Sequence, residues 1–127
     1  MRPKSKSLTD QELEIMKIVW ERNSATVRHV YETLLARRKI AYTTVMTMMG
    51  ILEDKGYLKK TAADRAYVYQ PARPKSQVIT AMVQDFVNRV FDGAAEPLLV
   101  HLVREERLSP KEIEKITKIA RAIQEKP

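Results

Sequence analysis

The amino-acid sequence predicts a mainly α-helical fold with one small β-hairpin. Most of the chain repeats apolar residues at the helical spacing i, i+3, i+4 and i+7. Two short segments between residues 57 and 70 instead alternate apolar and polar side chains, which is the strand pattern. The 127 residues contain no Cys and three Gly, which excludes disulfides, thiolate metal sites and a glycine-rich phosphate loop.

The first two helices are indicated by their N-caps. Thr9, with Glu12 three residues later, has the spacing of a capping box before a helix of about 13 residues. Residues 25–27 are too short for more than a β-bridge. Thr26 is predicted to cap a second helix, which closes in the basic run 37–39, where cations suit the negative helix end.

A third helix is predicted from Tyr42 to Lys55, with Gly56 as its left-handed stop. Its inward face consists of Val45, Met48, Met49 and Leu52. The alternating segments then predict a β-hairpin with strands at 57–61 and 66–70. Three helices followed by a hairpin is the order of a winged helix-turn-helix, in which the last helix enters the DNA major groove and the hairpin forms a wing.

The remaining sequence predicts three more helices, so that a DNA-binding domain over residues 1–74 is followed by a helical dimerisation region over residues 75–127. About 50 residues in three apolar helices do not easily form a globule of their own. DNA sites with two-fold symmetry are bound by proteins with two-fold symmetry, so we expect a homodimer. The alternative is that the three helices pack on the first domain of the same chain as an intramolecular cap. The predicted interface residues are Val83, Phe86, Val90, Leu98, Leu102, Ile113, Ile116 and Ile123.

The positive charge of the chain is unevenly distributed. The net charge is +7, of which residues 1–74 carry +6 and residues 75–127 carry +1. A basic block attracts nucleic acid or an anionic membrane surface, although it also serves as a solubilising surface. No helix there pairs a basic face with an exposed aromatic face, which weakens the membrane interpretation.

The sequence shows no segment that would place the chain in a membrane. No apolar run approaches the ~18–20 residues that cross a bilayer, and no apolar stretch follows the first residues as in a signal peptide. We therefore expect a cytoplasmic protein without membrane insertion.

The candidate functional residues indicate DNA binding and no catalysis. His29 and His101 are the two histidines, and no carboxylates are spaced with them for a metal or an acid–base pair, so we expect no enzyme, metal or cofactor. Thr hydroxyls and methyls on the third helix can contact base edges, while Lys and Arg contact the phosphates. The predicted DNA-binding residues are Arg28, Tyr42, Thr43, Thr44, Met46, Thr47, Lys55, Lys59 and Arg65.

The outward side of the third helix carries no Arg or Lys, which argues against dominant guanine recognition and favours an A·T-leaning or shape-assisted site. Two other functions are compatible with the same pattern. One is a non-specific architectural DNA-binding protein, and the other is a winged-helix adaptor that binds proteins.

Several segments resemble the penicillinase-repressor family, of the BlaI/MecI type. These are residues 41–47, with Thr-Thr-Val-x-Thr, residues 52–58, with the Lys-Gly turn, and residues 65–69. The opening helix is also similar, and the resemblance covers nearly the whole chain. It implies a dimeric repressor with an N-terminal winged helix and a C-terminal dimerisation region, bound to a palindromic operator of the TACA…TGTA kind.

The resemblance also implies a mode of release. In the family, a membrane sensor protease that detects β-lactam triggers cleavage of the repressor within its C-terminal region, at an Asn-Phe pair. That pair corresponds to His101 and Leu102 here, which makes them the candidate cleavage residues. A copper-sensing branch of the family uses a Cys-x-Cys site, which this chain lacks.

Overall fold

The computed structural model describes residues 7–125, and within them the predicted order of elements is confirmed. The elements are α1 Asp10–Arg22, α2 Val27–Leu35, α3 Tyr42–Asp54, β1 Leu58–Ala63, β2 Ala66–Pro71, α4 Lys75–Phe91, α5 Glu96–Arg104 and α6 Pro110–Gln124. The fold is mainly helical, and its one described sheet is the antiparallel β1–β2 hairpin.

The predicted helix starts follow from hydrogen bonds between side chains and backbone. The Thr9 Oγ1 atom accepts from the Glu12 backbone N–H at 3.2 Å, and the Glu12 carboxylate accepts from the Thr9 N–H at 2.8 Å. Ser109 and Glu112 form the same reciprocal box before α6. Such boxes satisfy two backbone donors that the first helical turn leaves without partners, so they begin a helix at a defined residue.

The described residues up to Met82 form one compact unit, here called the N-terminal unit. Its core is built by α1, α2, α3 and the hairpin. The fully buried side chains are Ile15, Met16, Val19, Val30, Leu34, Val45, Met49, Leu52 and Leu58. The first half of α4 also belongs to this unit, because Val78 is buried in the same core and Met82 packs against it.

The hairpin is longer, and its loop shorter, than the alternating pattern predicts. The ladder runs from the Leu58–Pro71 pair to the Ala63–Ala66 pair, which leaves Asp64 as one of two loop residues. Asp64 has φ of 51°, a left-handed conformation that Asp tolerates better than most residues. The predicted loop over residues 62–65 is therefore wrong at residues 62 and 63, which belong to β1.

The hairpin is joined to the helices at its base. Ala25 and Tyr69 exchange backbone hydrogen bonds of 2.8 and 2.9 Å, which confirms the β-bridge predicted before α2. The Trp20 indole N–H donates to the Arg73 carbonyl at 3.0 Å. Gly56 has φ of 86° and ends α3 as predicted. The first two contacts hold the base of the hairpin against α1 and the segment before α2, and Gly56 separates α3 from β1.

The described residues from Val83 onward form a second compact unit, here called the C-terminal unit, with the rest of α4 and with α5 and α6. No side chain of α5 or α6 is buried. The helix α5 begins at Glu96, so Pro97 is its second residue instead of its first as predicted. Among the predicted interface residues, Val83, Phe86, Val90, Ile116 and Ile123 are exposed, and Leu98, Leu102 and Ile113 are half-buried.

Candidate nucleic-acid interface

The helix α3 is anchored on one side and exposed on the other. Val45, Met49 and Leu52 are fully buried in the core of the N-terminal unit. Because side chains three and four residues apart share a helix face, this anchoring turns a second set outward. All of the predicted base-contacting residues are exposed, and together they form what we call the outward face of α3, namely Tyr42, Thr43, Thr44, Met46 and Thr47.

The start of α3 is held by aromatic packing in place of a cap. Ala41 offers no side-chain hydrogen bond to the helix. The ring of Tyr42 packs edge-to-face against that of Tyr31 in α2, with centroids 5.4 Å apart. An aromatic pair of this geometry contributes about 0.5–1.5 kcal/mol beyond its burial, which offsets a missing cap of about 1 kcal/mol.

The structure assigns Lys55 a different role from the predicted phosphate contact. Its Nζ atom lies 2.8 and 3.0 Å from the two carboxylate oxygens of Glu12 and 3.1 Å from the Ser7 carbonyl, and the side chain is only 13% exposed. An ammonium held by three acceptors is not available to a phosphate. Lys55 therefore anchors the C-terminal end of α3 to the start of α1, and it does not belong to the interface.

Among residues 7–125, Glu12 is the single buried charged residue, and its environment favours the ionised form. Burial raises the pKa of Glu12, but hydrogen bonds from Lys55 and from the Thr9 backbone, with the charge of Lys55, outweigh it and leave the pKa below its ordinary value. The Glu12 carboxylate is therefore ionised at neutral pH, and its contact with Lys55 orients α3.

The cations beside α2 divide into two groups. Arg28 is exposed and 3.3 Å from Glu32, an i,i+4 surface pair that contributes little and can exchange for a phosphate. Arg37 and Arg38 instead both bind Glu14 in α1, and their hydrogen bonds lower the pKa of that carboxyl. The basic run after α2 thus ties two helices together, whereas Arg28 remains available.

The wing presents its own cations. Arg65 is an exposed residue of the two-residue loop and Lys59 is exposed on β1, as the prediction requires. Lys60 lies 3.8 Å from the Glu53 carboxylate and 4.6 Å from the ring centroid of Tyr67. Tyr67 is 56% exposed and was not predicted as a site residue, because in an alternating strand it resembles any outward side chain.

The chain matches the family model described as penicillinase repressor over residues 8–122. It belongs to the penicillinase-repressor family. It is 37% identical over 98 residues to the transcriptional regulator BlaI of Mycobacterium tuberculosis, covering 76% of this chain and 71% of that one. It is 29% identical to the penicillinase repressor of Bacillus licheniformis over 112 residues, 88% of each chain.

A solved structure of the DNA-binding domain of the repressor BlaI matches the fold with a TM-score of 0.52 and 31% identity, over 59% of this chain and 92% of that one. The predicted fold class is thus confirmed. As a family member, the chain is a sequence-specific DNA-binding transcriptional repressor with a winged-helix domain, and the relatives described above are regulators.

The remaining candidate residues of this repressor lie in helices. His29 is the capping-box partner of Thr26, since its Nδ1 atom accepts from the Thr26 N–H at 3.1 Å. The Thr-x-x-His spacing indicates this capping box in the sequence, although Glu or Gln is the usual partner of the N-cap residue. His101 and Leu102 lie in the middle of α5, where His101 is exposed and Leu102 is half-buried.

The described part of the repressor covers residues 7–125. That range contains no group of three or more His, Cys, Asp or Glu residues placed to hold a metal ion. None of the helices described in it is long and apolar enough to cross a membrane.

Proposed function

We propose that the repressor binds a palindromic operator as a homodimer, with one N-terminal unit on each half-site. The observation that carries this proposal is the apolar surface of the C-terminal unit. Phe86 and Ile116 are 40% and 41% exposed, and other large apolar side chains of α4 to α6 are exposed with them. Large apolar side chains exposed in this number favour a protein interface, and a symmetric second copy provides a matching surface.

Each half-site is contacted in two ways. The outward face of α3 enters the major groove and contacts base edges through Thr43, Met46 and Thr47. Arg28, Lys59 and Arg65 contact the phosphates on either side. The cations supply affinity that depends on salt, and the uncharged face supplies sequence preference, because phosphate contacts alone carry no sequence information.

Selection of duplexes from a random pool tests this proposal against the architectural and adaptor alternatives. We expect an A·T-leaning palindrome with half-site centres about 10 bp apart, one helical turn. Light scattering should give twice the monomer mass at micromolar concentration. Recovery of duplexes with no common sequence would favour architectural binding, and absence of binding at low salt would favour the adaptor.

We further propose that cleavage in α5 releases the operator, with a membrane sensor protease as the partner and β-lactam as the signal. The family resemblance supports this mode of induction. The helix α5 has no side-chain cap and no buried residue, so it can unwind at low cost to expose the bond between His101 and Leu102. Mass spectrometry of the repressor from β-lactam-treated cells should find fragments ending at residue 101.

The same proposal assigns the chain no catalytic activity and places it in the cytoplasm, where a repressor reaches the chromosome. The relatives are transcriptional regulators, which supports a binding function. Fractionation of cells should recover the repressor with the DNA-containing fraction.

A further inference from the structure

Gly50 is half-buried and lies on the side of α3 that faces away from the core. Residues 43, 47, 50 and 54 follow the spacing i, i+4, i+7 and i+11, so they share one helix face. This set, here called the central row of α3, lies opposite the buried Val45, Met49 and Leu52. Its members are Thr43, Thr47, Gly50 and Asp54.

The fold of the N-terminal unit does not require a glycine at this position. Gly50 lies inside a regular helix and does not have a positive φ, unlike Gly56 and Gly93. A Cβ atom at position 50 would meet nothing within 4 Å beyond its own helix and chain neighbours. Because glycine is a poor helix former, alanine would stabilise α3 here.

The side chains around Gly50 explain why the absence of a Cβ matters. Thr47, one turn before Gly50 in the central row, and Thr43, two turns before it, are short and carry no long polar arm such as Arg, Lys, Asn or Gln. Short hydroxyl and methyl groups contact a base edge only when the helix backbone itself lies deep in the groove, which is about 12 Å wide.

We propose that Gly50 is a specificity-determining residue of the repressor, the point where the backbone of α3 approaches the floor of the major groove. With no side chain there, Thr43 and Thr47 reach the bases. This inference rests on the proposed insertion of α3 into the groove and adds the depth of that insertion. A side chain at position 50 holds the helix away and withdraws both Thr residues from the base edges.

Gly50→Ala and Gly50→Leu test the proposal in the full-length chain. The probes are the duplex selected by the wild-type repressor from a random pool and a scrambled duplex of equal length and composition. We expect Gly50→Ala to raise the Tm by a few degrees while weakening binding to the selected duplex. Gly50→Leu should weaken that binding about tenfold or more and change binding to the scrambled duplex by less than about twofold.

Ser76→Leu is the matched control, since it adds the same bulk at an exposed helical position of α4 and should leave both affinities unchanged. Thr47→Ala in the Gly50→Leu background should cause little additional loss, because the hydroxyl is already withdrawn. Equal losses on both duplexes, or wild-type binding by Gly50→Leu, would overturn the role of Gly50. If the duplex selected from the random pool has no two-fold symmetry, the dimeric proposal is overturned, but the Gly50 variants still test the role of Gly50.

Discussion

The N-terminal and C-terminal units use the same kind of amphipathic helix with opposite results. In the N-terminal unit, α1, α2 and α3 bury their apolar faces against one another and the hairpin. In the C-terminal unit, α6 has an equally regular capping box and apolar face, yet none of its side chains is buried. An apolar face therefore indicates that a helix packs against another surface, but it does not indicate whether that surface belongs to the same chain.

The largest expected effect tests the exposed surface of the C-terminal unit. Phe86→Glu places a charge on the proposed interface and should give monomers by light scattering. Operator affinity should fall by about 10²–10⁴-fold, because the second half-site no longer benefits from effective concentration. The control is Gln84→Glu, at an exposed polar position of the same helix. A dimer that survives Phe86→Glu would place the interface elsewhere.

The next effect tests the buried core. Leu34→Ala removes a fully buried side chain and should lower the free energy of unfolding of the N-terminal unit by about 2–5 kcal/mol in urea denaturation. Ile119→Ala, on the exposed face of α6, is the contrasting truncation, and its cost should depend on protein concentration. If both variants lose the same free energy of unfolding at every protein concentration, the apolar faces of the two units do not differ in the way proposed.

The Glu12–Lys55 pair tests how α3 is oriented. Lys55→Met leaves a buried carboxylate without its partner and should lower the free energy of unfolding by about 3 kcal/mol in urea denaturation. Adding Glu12→Gln to this variant removes the unpaired charge and should recover part of the loss.

The same pair predicts a pH dependence. Because the pKa of Glu12 in the folded state lies below the ordinary 4.5, its stabilisation is complete above that pH and is lost as the pH falls through the folded-state pKa. Glu12→Gln should reduce this acid sensitivity in urea denaturation measured across the acidic range. An unchanged profile would assign the sensitivity to other carboxylates, Glu14 first.

Thr47→Ala tests the uncharged part of the interface. Loss of its hydroxyl and methyl should weaken binding to the selected duplex by about 1 kcal/mol, roughly fivefold, and leave the salt dependence unchanged. Thr117→Ala on α6 is the matched control. Binding of the selected duplex at wild-type strength would remove Thr47 from the base-contacting residues.

The smallest effect tests the wing. Arg65→Ala should weaken binding to all duplexes alike and reduce the slope of log affinity against log salt by about 1. Lys111→Ala, a cation at the start of α6, should leave the slope unchanged. A sequence-dependent loss for Arg65→Ala would indicate base contacts from the wing.

Local patterns in the sequence determined the element order, the helix starts and the polarity of each helix face. Thr9 with Glu12, Ser109 with Glu112, and the stop at Gly56 each act over a few residues, so they can be recognised without the fold. The exposed set on α3 followed from the buried periodicity of the same helix. For the same reason, the winged helix and the exposed side of its third helix were predictable.

Only the tertiary structure decided the contacts between residues far apart in the chain. The sequence predicts Lys55 as a phosphate-contacting cation, but the fold brings it to Glu12, 43 residues away. Val78 follows the hairpin but completes the core of the N-terminal unit. The empty space around Gly50 also depends on what neighbouring elements leave open. Sequence periodicity specifies which way a side chain faces along its own element, whereas packing decides what it meets there.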